Sequence, residues 1–169
     1  GHIIRWKEHG DFDATSFQWD HLVLAGDPAN GRAEATGNVK GDAFACPDGL
    51  MLDGRGVLWI DTDIGPGALN QGEYKRLGNN QMLVADVKTK KIDRFLVGPA
   101  GCEITGITWT PDGKTMFINV QHPGEASGHP NAPVPTGGMS MDVFLANNAT
   151  SFSTWPDRNP DSRPRSSTV

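Results

Sequence analysis

An all-β fold, forming part of a β-propeller, is what the sequence predicts, and three observations carry the prediction. A strand–turn–strand unit occurs twice, first as Gly49-Leu50-Met51-Leu52-Asp53-Gly54-Arg55-Gly56-Val57-Leu58-Trp59-Ile60-Asp61 and again from Gly106 to Asn119. With one inserted residue the copies superpose, matching Leu52 with Trp109, Gly56 with Gly113, Trp59 with Phe117, Ile60 with Ile118 and Asp61 with Asn119. The distance from Gly49 to Gly106 is a little longer than the ~40–50 residues of common propeller blades, the excess lying in loops. Turn formers are abundant, with 21 glycines and 12 prolines among 169 residues, a level suited to many short strands and below that of disordered chains. No segment keeps apolar residues at helical spacing beyond about two turns, so helix is a minor component.

The elements follow in order. His2 to Glu8 and Phe17 to Ala25 read as two strands of one blade, joined by the polar turn Gly10-Asp11-Phe12-Asp13. Asp27-Pro28-Ala29-Asn30-Gly31 breaks the pattern, and a polar loop is expected as far as Asp42. Leu50–Asp53, Val57–Asp61, Gln81–Val87 and Lys91–Val97 then make a complete four-strand blade, and Ile104–Thr110 with Thr115–Gln121 open the next. A closing strand for that blade starts near Arg165. The expected division is therefore a blade fragment over 1–45, a blade over 46–100 and an incomplete blade over 101–169, two to three blades in all. Both ends read as cut from a longer ring.

Composition excludes several function classes. The net charge of −5 with scattered basic residues leaves no electrostatic footprint for nucleic acid. No apolar run is long enough to span a membrane, and there is no phosphate loop, dinucleotide fingerprint or nucleophile elbow. Cys46 and Cys102 are the only cysteines. They precede the two repeated units, where a disulfide and a pair of buried thiols are both compatible with the spacing, and two cysteines make no framework.

In a propeller the first strand of each blade runs along the channel and the second returns, so loops after second strands share a mouth with the segments entering first strands. That geometry brings Asp48, Glu103, Asp61, Asp63 and His122 to one mouth and the turns Asp53-Gly54-Arg55-Gly56 and Pro111-Asp112-Gly113 to the other. Carboxylates gathered in this way suit a hard cation such as calcium, which takes about 6–8 oxygen ligands. An Asp in Pro47-Asp48-Gly49 serves equally as a turn acceptor, whereas Glu103, entering a buried strand between Cys102 and Ile104, needs a partner to offset desolvation. Asp61-Thr62-Asp63 places two acids on one face by strand alternation, with no EF-hand glycine or distal glutamate behind them. Two loops, from Ile64 to Asn80 and from His122 to about Asp142, exceed the ~12–15 residues usual for a structureless connection. The first contains Lys75-Arg76, a guanidinium suited to phosphate oxygens, and Gly78-Asn79-Asn80, whose amides could meet a cation or an anion.

Several ordered motifs together resemble a known family. They are Pro47-Asp48-Gly49-Leu50, Leu58-Trp59-Ile60-Asp61-Thr62-Asp63, Gly78-Asn79-Asn80-Gln81-Met82, Gly98-Pro99-Ala100-Gly101-Cys102-Glu103-Ile104-Thr105-Gly106, Thr110-Pro111-Asp112-Gly113-Lys114 continuing to Gly124, Trp155-Pro156-Asp157 and Pro164-Arg165-Ser166, with Leu24-Ala25-Gly26-Asp27-Pro28 near the start. The chain resembles the carboxy-terminal part of the PhoX family of bacterial alkaline phosphatases. The resemblance implies a six-bladed propeller holding calcium and iron in its channel, monomeric at full length, that hydrolyses phosphate monoesters after Tat export to the periplasm or beyond. Carried over, Asp48 and Glu103 become the first candidates for metal ligands, with Asp61 and Asp63 behind them. In such a phosphatase a basic group such as Arg76 would help attract the substrate. Cys46 stands where the family pattern leads one to expect a small polar residue. Family members are much longer, so the remaining blades and the export signal would lie outside this chain, and the chain alone is expected to be inactive. A propeller that only binds partners, and a calcium-dependent lactonase-like hydrolase, are the rival readings.

Overall fold

A computed structural model describes residues 1–169, and ten strands fall into three sheets that follow one another along the chain. Strands β1 (His2–Glu8) and β2 (Phe17–Leu24) form an antiparallel pair with an irregularity between Ile3 and Ile4. The second sheet contains β3 (Lys40–Gly41), β4 (Pro47–Leu52), β5 (Val57–Thr62), β6 (Gln81–Asp86) and β7 (Lys91–Val97), in the order β3-β7-β6-β5-β4. The third contains β8 (Glu103–Trp109), β9 (Met116–Gln121) and β10 (Ser167–Thr168), in the order β8-β9-β10. Successive up-and-down sheets packed face to face are the arrangement expected of propeller blades.

Strand β5 shows why the sheets stack. Its six residues run almost continuously apolar, and all but the first are buried, the pattern of a strand covered on both faces. Alternation sends Leu58 and Ile60 to one side, where they join Ile3, Val23, Phe44, Leu83 and Ile92 against the first sheet. Trp59 goes to the other side and joins Met82, Cys102, Ile104 and Val120 against the third. One strand therefore fastens three sheets.

The segment ahead of β4 departs from the polar loop expected through Asp42. Lys40 and Gly41 pair parallel with Lys91 and Ile92, adding a strand to the outer edge of the second sheet. Asp42 continues the attachment by accepting a hydrogen bond from Arg94 N at 2.8 Å. Lys40 and Gly41 carry no alternation signal; the free backbone groups of β7 select this pairing, and Gly41 permits it, since a Cβ there would overlap Ile92 O.

Neither long loop is structureless. Ile64, Leu69 and Leu77 bury themselves with Ala45 as a third apolar cluster, and Gly72–Tyr74 makes a 3₁₀ turn. Asn80, almost fully buried, closes this loop with its whole amide: Oδ1 accepts from Ile64 N (2.7 Å) and Thr62 Oγ1 (3.1 Å), while Nδ2 donates to Ile64 O (3.0 Å) and Cys102 O (2.9 Å). The second loop ends in the short helix α1 (Met141–Asn147), which the apolar pattern did not signal and which Ser140 caps by accepting from Val143 N. The loops touch where Gln71 Nε2 donates to Gly128 O at 3.2 Å.

At the far end of the β4–β5 hairpin, Asp53 organises the turn. Its carboxylate accepts from Arg55 N (2.9 Å), Val57 N (3.0 Å), the Arg55 guanidinium (2.8 and 3.1 Å) and Trp59 Nε1 (3.2 Å). Burial alone would raise the carboxyl, but these donors outweigh it and hold Asp53 well below the usual carboxylate range. Its stabilisation is therefore complete above the ordinary value of 3.8 and is lost as pH falls below that toward the depressed folded value. Asp53→Asn is expected to cost about 2 kcal/mol at neutral pH, with the gap to the parent narrowing under acid. Urea unfolding at neutral pH and near pH 3 tests this, and equal midpoints for both proteins at neutral pH would refute it.

Candidate functional site

The other end of the same hairpin carries the acids. In β4 the register slips between Pro47, opposite Thr62, and Leu50, opposite Ile60. Asp48 and Gly49 thus share the stretch of ladder facing Asp61, which is a β-bulge. Gly49 eases the fit there: a Cβ at that position would stand 3.0 Å from Asp61 Oδ2 and 3.4 Å from its Cβ, and the carboxylate would have to shift. The bulge opens a niche, and the Asp61 side chain fills it.

Asp61 is fully buried at 0% exposure, and neither carboxylate oxygen has a hydrogen-bond partner. Burial first, then the charges of Asp48 and Glu103, push its pKa up to about 7. Water would have stabilised the ionised form, and the site supplies no donor to replace it. Glu103, the first residue of β8, pairs with Gln121 of β9. Gln121 Nε2 donates to Glu103 Oε2 at 2.8 Å, and His122 Nε2 lies 3.5 Å from the same oxygen. Burial, followed by the charge of Asp63, raises the Glu103 carboxyl, with Asp48 adding to the rise and His122 opposing it. Acids from two sheets therefore act on one another electrostatically, although no three carboxylate, imidazole or thiol groups converge closely enough to enclose a metal ion by themselves.

The expected residues are found as follows. Asp48 and Glu103 were expected just ahead of first strands, but both lie inside them, because bulged pairing carries β4 back to Pro47 and the Glu103–Gln121 pair carries β8 back to Glu103. They are also not equivalent in the repeat: Gly106 matches Gly49, which puts Thr105 in the place of Asp48. Alternation was expected to place Asp61 and Asp63 on one face. β5 stops at Thr62, so Asp61 is buried and Asp63 projects into solvent just beyond the strand. The guanidinium of Arg76 is 68% exposed and pairs with Asp27 at 3.3 Å, not with any of the four acids. The amides of Asn79 and Asn80 are committed within the protein, Asn79 to Asn70 and Gly98 O and Asn80 to the four contacts above. His122 does reach the mouth where Glu103 lies. Gln121, Gly49 and Glu125 were not singled out from sequence. Only the strand-end position of Gln121 and the glycine shared by both repeats could have marked two of them.

The donors offered by Asp48, Asp61, Asp63 and Glu103 are all oxygen, the set that suits a hard cation. The thiols take no part. Both cysteines are unpaired, and Cys102 is so tightly enclosed that a Cβ on Gly98 would overlap its sulfur.

Comparison with known proteins shows the family. The family model for alkaline phosphatase PhoX matches residues 1–124. Among solved structures, Pseudomonas fluorescens PhoX in complex with vanadate, a transition state analogue, superposes with a TM-score of 0.76 at 39% sequence identity, covering 99% of this chain and 25% of that one. The chain thus spans about a quarter of the length of that relative. No curated protein sequence matches it.

Burial, with a smaller contribution from the charge of Glu103, pushes the Cys102 thiol up to about 12 against one backbone hydrogen bond that lowers it. At pH 8 the thiolate fraction is then on the order of 10⁻⁴, and iodoacetamide should leave Cys102 unmodified in the folded protein. Half-buried Cys46 should label first, with Cys102 following only in denaturant. Peptide mass spectrometry reads this, and Cys102 labelling at the Cys46 rate under native conditions would contradict it.

Proposed function

Since the chain belongs to the PhoX family of alkaline phosphatases, we propose that it contributes Asp48, Asp61, Asp63 and Glu103 to the metal centre of a phosphate monoesterase. The observation that supports this most is the Asp61 carboxylate, enclosed without a donor beside other acids. Such a group needs either a proton or a cation, and a propeller used only for binding partners would give no reason to keep it. The oxygen set fits calcium; nothing in it selects iron, so the iron implied by the family resemblance would take its ligands from the rest of the protein. Cations bound there would neutralise phosphoryl oxygens and stabilise the departing alkoxide. The part of this chain is to position the donors. Gly49 admits the Asp61 side chain, the bulge sets exposed Asp48 near enough for its charge to act on Asp61, and Gln121 orients Glu103.

The vanadate complex of the Pseudomonas protein favours a phosphate ester over a lactone as the substrate class, since vanadate mimics a phosphoryl group in transfer. Arg76 carries no role in this proposal, being paired with Asp27. The resemblance further suggests that this segment is the carboxy-terminal part of an enzyme exported by the Tat route to the periplasm or beyond. No helix in it is long and apolar enough to cross a membrane.

The repeat supplies a contrast. Asn119 stands at the matching position of the third sheet, with a Cβ on Gly106 falling 2.6 Å from Asn119 Nδ2, but its side chain is exposed where that of Asp61 is buried. Asn has nearly the volume of Asp and carries no charge to desolvate, so Asp61→Asn in the full-length protein is expected to fold. It should lose bound calcium and reduce p-nitrophenyl phosphate turnover at least ~100-fold, the loss expected when a metal-stabilised phosphoryl transfer is disarmed. Unchanged calcium content and turnover would overturn the assignment. The metal-free parent has a further signature. With a folded pKa near 7 against an ordinary 3.8, the folded state holds more protons than the unfolded between those values, so stability falls as pH rises through that window. Asp61→Asn should flatten that slope in urea titrations after metal removal.

A further inference from the structure

We propose that His122 is a positioning residue that holds Glu103 through one carboxylate oxygen and so presents the other to the cation. The inference rests on the metal-site reading of Glu103 given above. Both protein contacts to Glu103 fall on Oε2, a hydrogen bond from Gln121 Nε2 at 2.8 Å and a longer ion-pair contact with His122 Nε2 at 3.5 Å. Oε1 has no protein donor. The carboxylate is thus loaded on one side and open on the other, the condition of a ligand oriented by a second shell.

His122 is itself held from several directions. Its Nδ1 lies 3.0 Å from Glu125 Oε2 and 3.2 Å from Gly101 O, so each ring nitrogen faces an acceptor and the plane of the ring is fixed. Its backbone is in the left-handed region at φ 37°, and its N–H donates to Ser166 Oγ at 3.0 Å. The turn that follows β9 is hooked onto the turn that precedes β8: Gly124 N donates to Ala100 O at 2.9 Å and Glu125 N to Gly101 O at 3.3 Å. Gly101, at φ 66°, permits this approach, because a Cβ there would overlap Glu125 O. Two turns on either side of the β8–β9 pair therefore interlock around one imidazole, and that imidazole points at Glu103.

The test is calorimetric titration of calcium into the metal-stripped full-length protein. His122→Ala should weaken calcium affinity about 10–100-fold, the range for loss of an outer-shell partner, with the number of bound ions unchanged. His122→Gln keeps a side-chain donor and should recover part of the loss. Ser166→Ala keeps the imidazole but frees its backbone, and should give an intermediate loss. These two variants carry the test if His122→Ala fails to fold. A purely structural role would instead lower the unfolding midpoint and leave the affinity in place. Glu103→Gln separates the two levels of the argument. If Glu103→Gln weakens binding while every His122 variant stays within about threefold of the parent, far short of the outer-shell range, the site stands and the positioning role falls. If Glu103→Gln also binds normally, both fall.

Discussion

Asp61 stands near the end of a strand packed on both faces, and the rest of the site follows from that confinement. Ile60 is committed to the contact with the first sheet and Trp59 to the contact with the third, so the backbone of β5 has no freedom to turn the Asp61 carboxylate toward solvent. The only volume available is the niche opened by the Asp48–Gly49 bulge. A carboxylate forced into such a place is costly unless something compensates its charge. No protein donor does so, which leaves the compensation to a proton or a cation.

The two ends of one hairpin make opposite use of the same residue type. Asp53, at the turn, is surrounded by donors from Arg55, Val57 and Trp59 and stays ionised. Asp61, at the mouth, has none and is surrounded by acids. Stability is concentrated at one end of the strands and electrostatic tension at the other, as in folds whose reactive groups are held where the scaffold is rigid. A similar division recurs across the repeat. Gly106 faces Asn119, whose Oδ1 accepts from Thr168 Oγ1 at 2.7 Å and whose side chain is exposed, so the neutral side chain keeps both a partner and solvent while the charged one has neither.

The mouth is tied together by hydrogen bonds that do not involve the acids. Asn80 ties the end of β5, the first long loop and the Cys102 carbonyl into one unit. Hydrogen bonds between the turn ahead of β8 and the turn after β9 do the same for Glu103. In both places a loop of irregular backbone is held almost as firmly as a strand, because its buried amide groups must find partners and find them in each other.

Strand positions, the two hairpin turns and the family pattern were legible in the sequence. Alternation, glycine-bearing turns and a duplicated unit are local signals, and they located most strand boundaries within a few residues and assigned the acids and the turns to opposite mouths. Local signals did not reach the pairing of β3 with β7, the end of β5 at Thr62 that separates Asp61 from Asp63, the partner of Arg76, or the use of Asn80 as a structural tie. Three of those depend on a residue tens of positions away: Ile92 for Gly41, Asp27 for Arg76, Cys102 for Asn80. The sequence alone determined that acids would cluster at one end of these strands, since hairpin connectivity dictates which ends meet. Only the tertiary structure decided which acid would lose its water, because burial is settled by packing on both faces of a strand at once.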